Sequence, residues 1–165
     1  MPFLTPDDYF SSVICIEPEA LVKEGFSIVL LDIDNTLVPR DIQRLPSEVK
    51  DWVARLKTCG LRVCLLSNNW HKVVFDYAAE LDLPLVYKAM KPLPFAYLRA
   101  LRKLDRQKGE RVVCVGDQIV TDVWGAHTLG FSVILVEPQA QKDLWYTLLF
   151  RRFERLLMRG RHPRA

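Results

Sequence analysis

Long hydrophobic runs are missing from this 165-residue chain. No stretch of 18 consecutive apolar residues occurs, so no membrane-spanning helix is expected within it. The opening Met1-Pro2-Phe3-Leu4-Thr5-Pro6-Asp7-Asp8 lacks the basic start and apolar core of a secretory signal. It is acidic, unlike an Arg-rich transit peptide, and a cytoplasmic protein is expected. Cysteine pairs are missing too. Cys15, Cys59, Cys64 and Cys114 form no Cys-x-x-Cys and no Cys/His cluster, and Cys64 and Cys114 sit in apolar, strand-like runs. Reduced, mostly buried thiols are expected, not a disulfide framework or a zinc site. A large excess of charge of one sign is missing too: 23 Lys and Arg against 20 Asp and Glu give a net charge of +3. Its distribution is uneven, because Gln141 to Ala165 carries +5 and the preceding 140 residues −2. A basic tail on a neutral-to-acidic body suggests an anionic partner for the tail.

What is present is a chain 50% hydrophobic, enough for one globular domain with a core. Ile28-Val29-Leu30-Leu31 reads as a buried strand, preceded by a short helix over Pro18 to Lys23 that Gly25 stops. Val49, Trp52, Val53 and Leu56 recur at helical spacing in a helix that Gly60 ends. Residues 61–66, 84–87, 111–115 and 131–136 read as further strands. Helices are predicted over Lys72 to Leu81, Pro94 to Leu104 (Phe95, Leu98, Leu101 and Leu104 inward) and Val120 to Leu129. Strands alternating with helices of about ten residues imply an α/β fold, a five-stranded, mostly parallel sheet covered on both faces. Residues 141–165 read as a basic amphipathic helix or tail of the same domain.

In such sheets the functional crevice lies beyond the C-terminal strand ends. Four such ends carry Asp32 and Asp34, Ser67 and Asn68, Lys91 a few residues on, and Asp117 with Asp122. Asp32, Asp34 and Asp117 give three carboxylates at one edge, and carboxylates crowded together raise one another's pKa. A hard divalent cation with oxygen ligands relieves that, Mg2+ being the usual choice. Lys91 and the hydroxyl, amide and backbone N–H donors of Ser67 and Asn68 suit an anion such as phosphate. A carboxylate nucleophile, a metal and positive donors make a phosphoryl-transfer site.

Four segments carry a family resemblance: Asp32-Ile33-Asp34-Asn35-Thr36-Leu37, Leu66-Ser67-Asn68-Asn69, Lys91-Pro92 with Lys88 nearby, and Gly116-Asp117-Gln118-Ile119-Val120-Thr121-Asp122. In order and spacing the chain resembles haloacid dehalogenase (HAD) superfamily phosphatases of subfamily IIIA. More narrowly it resembles the YqeG-type proteins related to phosphatidylglycerophosphate phosphatase, with their Rossmann-like fold. The resemblance implies Asp32 as nucleophile, Asp34 as acid and base, and Lys91 as charge stabiliser that also orients Asp32. Ser67, Asn68 and Lys91 would hold the phosphate. Mg2+ would sit on Asp32, Asp117 and the main-chain carbonyl of Asp34, with Asp122 acting through metal-bound water or Lys91.

His127 is expected to be structural and His71 to lie at the surface, while Trp70 either walls the cleft or packs. Arg40 and Asp41, just after the Asp-x-Asp segment, are candidates to border the substrate. Only 24 residues separate Leu37 from Arg62, too few for a separate cap domain, and an open site suits a substrate whose bulk stays outside. The resemblance favours phosphatidylglycerophosphate as substrate. Soluble sugar phosphates or nucleotides, and a non-catalytic phosphate-sensing or partner-binding module, stay open, as does the oligomeric state. The tail could lie on an anionic bilayer or pack on the sheet. No nucleic-acid partner is expected, since its arginines show no recognition motif.

Overall fold

The computed structural model describes residues 2–40, 42, 44–139 and 162–164. Its elements follow the predicted alternation: β1 (Asp8–Phe10), α1 (Pro18–Lys23), β2 (Phe26–Leu31), α2 (Ser47–Thr58), β3 (Arg62–Leu66), α3 (Lys72–Leu81), β4 (Leu85–Val86), α4 (Pro94–Lys103), β5 (Arg111–Gly116), a π-helical turn over Ile119–Trp124 running into α5 (Gly125–His127), and β6 (Ser132–Val136). The strands form one parallel sheet in the order β1-β6-β5-β2-β3-β4. Among the described residues six strands are therefore present where five were predicted. The missed one, β1, is three half-buried residues at the sheet edge, too short and too mixed to show an apolar period.

Side chains alternate across each strand, so β2 feeds two cores. Val29 and Leu31 face Leu21 of α1, Val49, Trp52, Val53 and Leu56 of α2, and Val74, Tyr77 and Leu81 of α3. Ile28 and Leu30 join the opposite layer with Ala96, Tyr97, Ala100 and Leu101 of α4 and Ile119, Val123 and Ala126 beyond β5. The result is a three-layer α/β/α sandwich. The indole N–H of Trp52 donates to the Ile16 carbonyl at 2.7 Å and ties α2 to the first loop.

Two sequence expectations need correction. On α4 the inward residues are Ala96, Tyr97, Ala100 and Leu101, while Phe95 and Leu98 are exposed. The small alanines let the helix lie close to the sheet, so the buried stripe is set by size and not by hydrophobicity alone. The helix predicted over Val120 to Leu129 begins as a wide turn, because the Gln118 carbonyl accepts from the N–H groups of both Asp122 and Val123. The predicted tail lies outside the described residues except at its end. There the Arg164 N–H donates to the Tyr9 carbonyl at 2.8 Å, beside β1. No described helix is long and apolar enough to cross a membrane.

Candidate active site

The chain winds outward from β2 in both directions, so the sheet has its crossover point between β2 and β5, flanked by β3. Loops leaving neighbouring strands there part to opposite faces and open a crevice. Asp32 follows β2 directly, and its N–H donates to the Val115 carbonyl of β5 at 2.9 Å. Asp117 follows β5, and Ser67 follows β3. Beyond Asp32 the chain folds into a tight turn. The Ile33 carbonyl accepts from the N–H groups of Thr36, Leu37 and Val38, and Asn35 has φ +63°. Asparagine tolerates that left-handed conformation better than most residues. The turn brings the Thr36 hydroxyl back to donate to Asp32 Oδ2 at 3.2 Å.

Lys91 lies at the centre. Its ammonium donates to Asp32 Oδ1 and to Asp122 Oδ1, each at 2.6 Å, and all three side chains are at least nine-tenths buried. The other Asp122 oxygen accepts from the Gln118 N–H and the Thr121 hydroxyl, both at 3.2 Å. Both Asp122 oxygens are thus taken by protein donors. The Lys91 loop is backbone-strained, with Lys88 at φ +44° and Met90 at φ +61°. It is clamped by Asn68, whose side chain accepts from the Lys91 N–H at 2.7 Å and donates to the Lys91 carbonyl at 3.1 Å. Strain of this kind persists only where the surroundings over-determine it. Gly116 completes the packing, because a β-carbon there would overlap the Asp122 carboxyl.

Asp34 is half-buried and held differently. It accepts from the Ser67 hydroxyl at 3.3 Å and from the Asn69 amide at 3.2 Å. Asn69 is aimed by its own turn, its side-chain oxygen accepting from the His71 N–H at 2.9 Å. The two carboxylates of Asp-x-Asp therefore have separate environments, one deep beside an ammonium, the other at the crevice wall.

Asp32, Asp117 and Asp122 offer carboxylate oxygens within 4.8 Å of one another, and among the described residues the Lys91 ammonium pairs with two of them, Asp32 and Asp122. Burial pushes the Asp32 carboxyl up to about 7, with Lys91 opposing and Asp122 adding to the shift. Burial alone would lower the Lys91 ammonium, but Asp122 and Asp32 outweigh it and hold it raised. A buried cluster of three carboxylates that offers only oxygen donors fits a hard divalent cation; sulfur- or imidazole-preferring metals fit it poorly.

All seven residues singled out from the sequence lie at this edge. The side chain of Asn68, expected to hold phosphate, bonds the Lys91 backbone through its oxygen and one amide hydrogen. Asn69 and Thr36, which hold Asp34 and Asp32, were quoted in the motifs but given no role. The doubled Asn68-Asn69 and the Thr after Asp-x-Asp-Asn were the available signals. His127 is structural as expected, its ring nitrogens lying 3.0 Å from the Phe3 carbonyl and 3.2 Å from the Asp7 carboxylate. Trp70 walls the cleft: it is 61% exposed and borders a groove beside Asp34.

A family model described as HAD-hydrolase-like matches residues 89–144. A Bacillus subtilis (strain 168) protein described as probable phosphatase YqeG is 35% identical over 156 residues, which span 94% of this chain and 90% of that protein. Among solved structures, 3-deoxy-D-manno-octulosonate 8-phosphate phosphatase from Yersinia pestis is similar with a TM-score of 0.51. It is 20% identical over 67% of this chain and 63% of its own. A second solved chain reaches a TM-score of 0.59 at 15% identity, over 81% of this chain and 83% of that one. At these identities the structural likeness speaks for the fold alone.

Proposed function

We propose that this chain, which belongs to the YqeG family of HAD-like hydrolases, is a divalent-metal-dependent phosphomonoester hydrolase working through an aspartyl-phosphate. The observation that carries the reading is the unlike pair on one turn, Asp32 buried against Lys91 and Asp34 at the crevice wall against Ser67 and Asn69. A nucleophile and a proton carrier need those two environments.

In the first step an Asp32 oxygen attacks phosphorus, the P–O bond to the alcohol breaks, and Asp34 gives its proton to the departing alkoxide. In the second, Asp34 takes a proton from a water that attacks the same phosphorus, releasing phosphate and restoring Asp32. Ser67 and Lys91 stabilise the transferred oxygens, and Asn68 fixes the Lys91 backbone that makes this possible. Asp122 holds the Lys91 ammonium in line. Asp32 and Asp117, with the Asp34 main-chain carbonyl, would hold Mg2+, which supplies positive charge to the phosphoryl oxygens when bound.

For the substrate we propose phosphatidylglycerophosphate, converted to phosphatidylglycerol on the cytoplasmic side of a membrane. In support, the chain between β2 and β3 is short and the crevice open, and exposed Trp70, Phe75, Tyr87, Met90 and Leu93 lie in the segments bordering it. The free cysteines fit a reducing compartment. The test is phosphate release from that lipid in mixed micelles, from glycerol 3-phosphate, and from nucleotides and sugar phosphates, with and without Mg2+. Asp32→Asn is the blank. Mg2+-dependent release from the lipid, absent in Asp32→Asn, is the expected result. Turnover of soluble esters alone would discard the lipid, and release undiminished in Asp32→Asn would discard the nucleophile.

A further inference from the structure

A groove of about 720 Å³ opens directly from Asp34. One wall comes from the turn after β2, with Val38, Pro39, Arg40 and Ile42; the other comes from the loop between β3 and α3, with Trp70 and His71, and from Lys72 at the start of α3. The groove is far larger than a phosphate, which the Asp32, Ser67 and Lys91 corner already serves. In an in-line displacement the alcohol departs on the side away from the attacking oxygen and toward the residue that protonates it. Asp34 is that residue in the reading above, so the alcohol half of the ester belongs in this groove.

Two features give the groove a chemical preference. The first is charge: among the described lining residues Asp34 is the sole carboxylate, facing Arg40 and Lys72. Among the described residues no carboxylate pairs with either cation, and α3 carries no acidic residue in its first turn. Asp76, the nearest acid along α3, does not line the groove. The second is apolar surface: Trp70 is 61% and Ile42 50% exposed. Trp70 is braced in place, stacked on His71 with centroids 5.8 Å apart and with the Lys88 ammonium 6.0 Å from its ring. A braced, solvated indole beside two unpaired cations gains most from a ligand that covers the ring and neutralises the charge.

We infer that this groove is the leaving-group subsite and selects alcohols bearing both a second anionic group and an apolar stretch. Arg40 and Lys72 meet the anion, and Trp70 with Ile42 meets the apolar part. The inference rests on the phosphatase reading and adds the recognition chemistry. A phospholipid headgroup with its first methylenes and a soluble short-chain phosphodiester share that chemistry, so the test separates them.

Four esters of one set are compared with Mg2+ present: glycerol 3-phosphate, an alkyl phosphate, a chainless glycerophosphate bearing a phosphodiester, and a water-soluble short-chain ester with both features. The long-chain lipid in micelles forms a fifth arm. The short-chain ester with both features is expected to exceed each of the other three soluble esters at least tenfold in kcat/KM. Lys72→Ala and Arg40→Ala should each cut the preference for phosphodiester-bearing over uncharged leaving groups about tenfold, through KM and not kcat. Lys72→Arg should restore it, and Trp70→Ala should cut the preference for chain-bearing esters. Equal turnover of all four soluble esters would overturn the inference, as would a preference seen only in micelles or variants that depress every ester alike. Those results leave the phosphatase reading intact. Absence of release from every ester, lipid included, would instead overturn the phosphatase reading.

Discussion

Lys91 is where the charge of the site is decided. It offers one positive charge to a buried cluster containing Asp32, Asp117 and Asp122. Removing it would take the buried ion-pair partner from Asp32 and Asp122. Lys91→Met should therefore abolish turnover and destabilise the metal-free fold by about 3–5 kcal/mol, readable as a lowered denaturation midpoint. Asp32 reports its burial through pH. Its carboxyl, raised by burial to about 7 from 3.8, binds a proton more tightly in the folded chain than in the unfolded one. Between these two values the folded state holds more protons. Its contribution to metal-free stability is thus full below about 4, falls as pH rises, and is level again above about 7. Melting temperatures in chelator should show this fall. Asp32→Asn, which cannot ionise, should flatten it, and an unchanged profile in that variant would assign the slope to another group.

At the scale of elements, the chain was legible where apolar period and turn residues agreed. Val49, Trp52, Val53 and Leu56 gave α2 its buried face, and Gly25 with φ +85° stops α1 where expected. The Asp-x-Asp turn and the strand-end residues were legible because a parallel sheet sends every strand end to one edge. Three things were hidden. The edge strand β1 has too few residues for a pattern, and the π-helical turn that seats Asp122 depends on which carbonyl captures which N–H. The face of α4 was misread because large apolar residues were taken as inward, whereas the close approach of helix to sheet favours Ala96 and Ala100, both 0% exposed. The same closeness appears at Gly125, where a β-carbon would overlap the Tyr97 hydroxyl. That hydroxyl donates to the Thr121 carbonyl at 2.6 Å, next to Asp122. Ala100→Leu should cost about 1–3 kcal/mol by overpacking. Leu98→Ala, two residues away but exposed, should stay within about 0.5 kcal/mol. Urea midpoints of the two variants check this, and equal losses would restore the face read from the sequence.

For the whole molecule, the central strands hold the catalytic edge together, and two thiols report on them. Cys64 of β3 and Cys114 of β5 both lie opposite Leu30 of β2, in the same buried layer. Burial raises both thiols, Cys64 to about 12. Only the thiolate reacts with an alkylating reagent, so near pH 8 these two should be modified only when the centre of the sheet opens. Cys15 and Cys59 are less buried and should react without such opening. A cation that binds only the folded carboxylate cluster stabilises the closed state by mass action. At 100 times its dissociation constant it lowers the open population about 100-fold. Mass-spectrometric alkylation should therefore show Cys64 and Cys114 slowing together by about that factor as Mg2+ is added, with Cys59 unchanged. If Cys64 and Cys114 react as fast as Cys59, the sheet does not close as described. If they are protected but indifferent to Mg2+, the acidic edge is not where the cation binds.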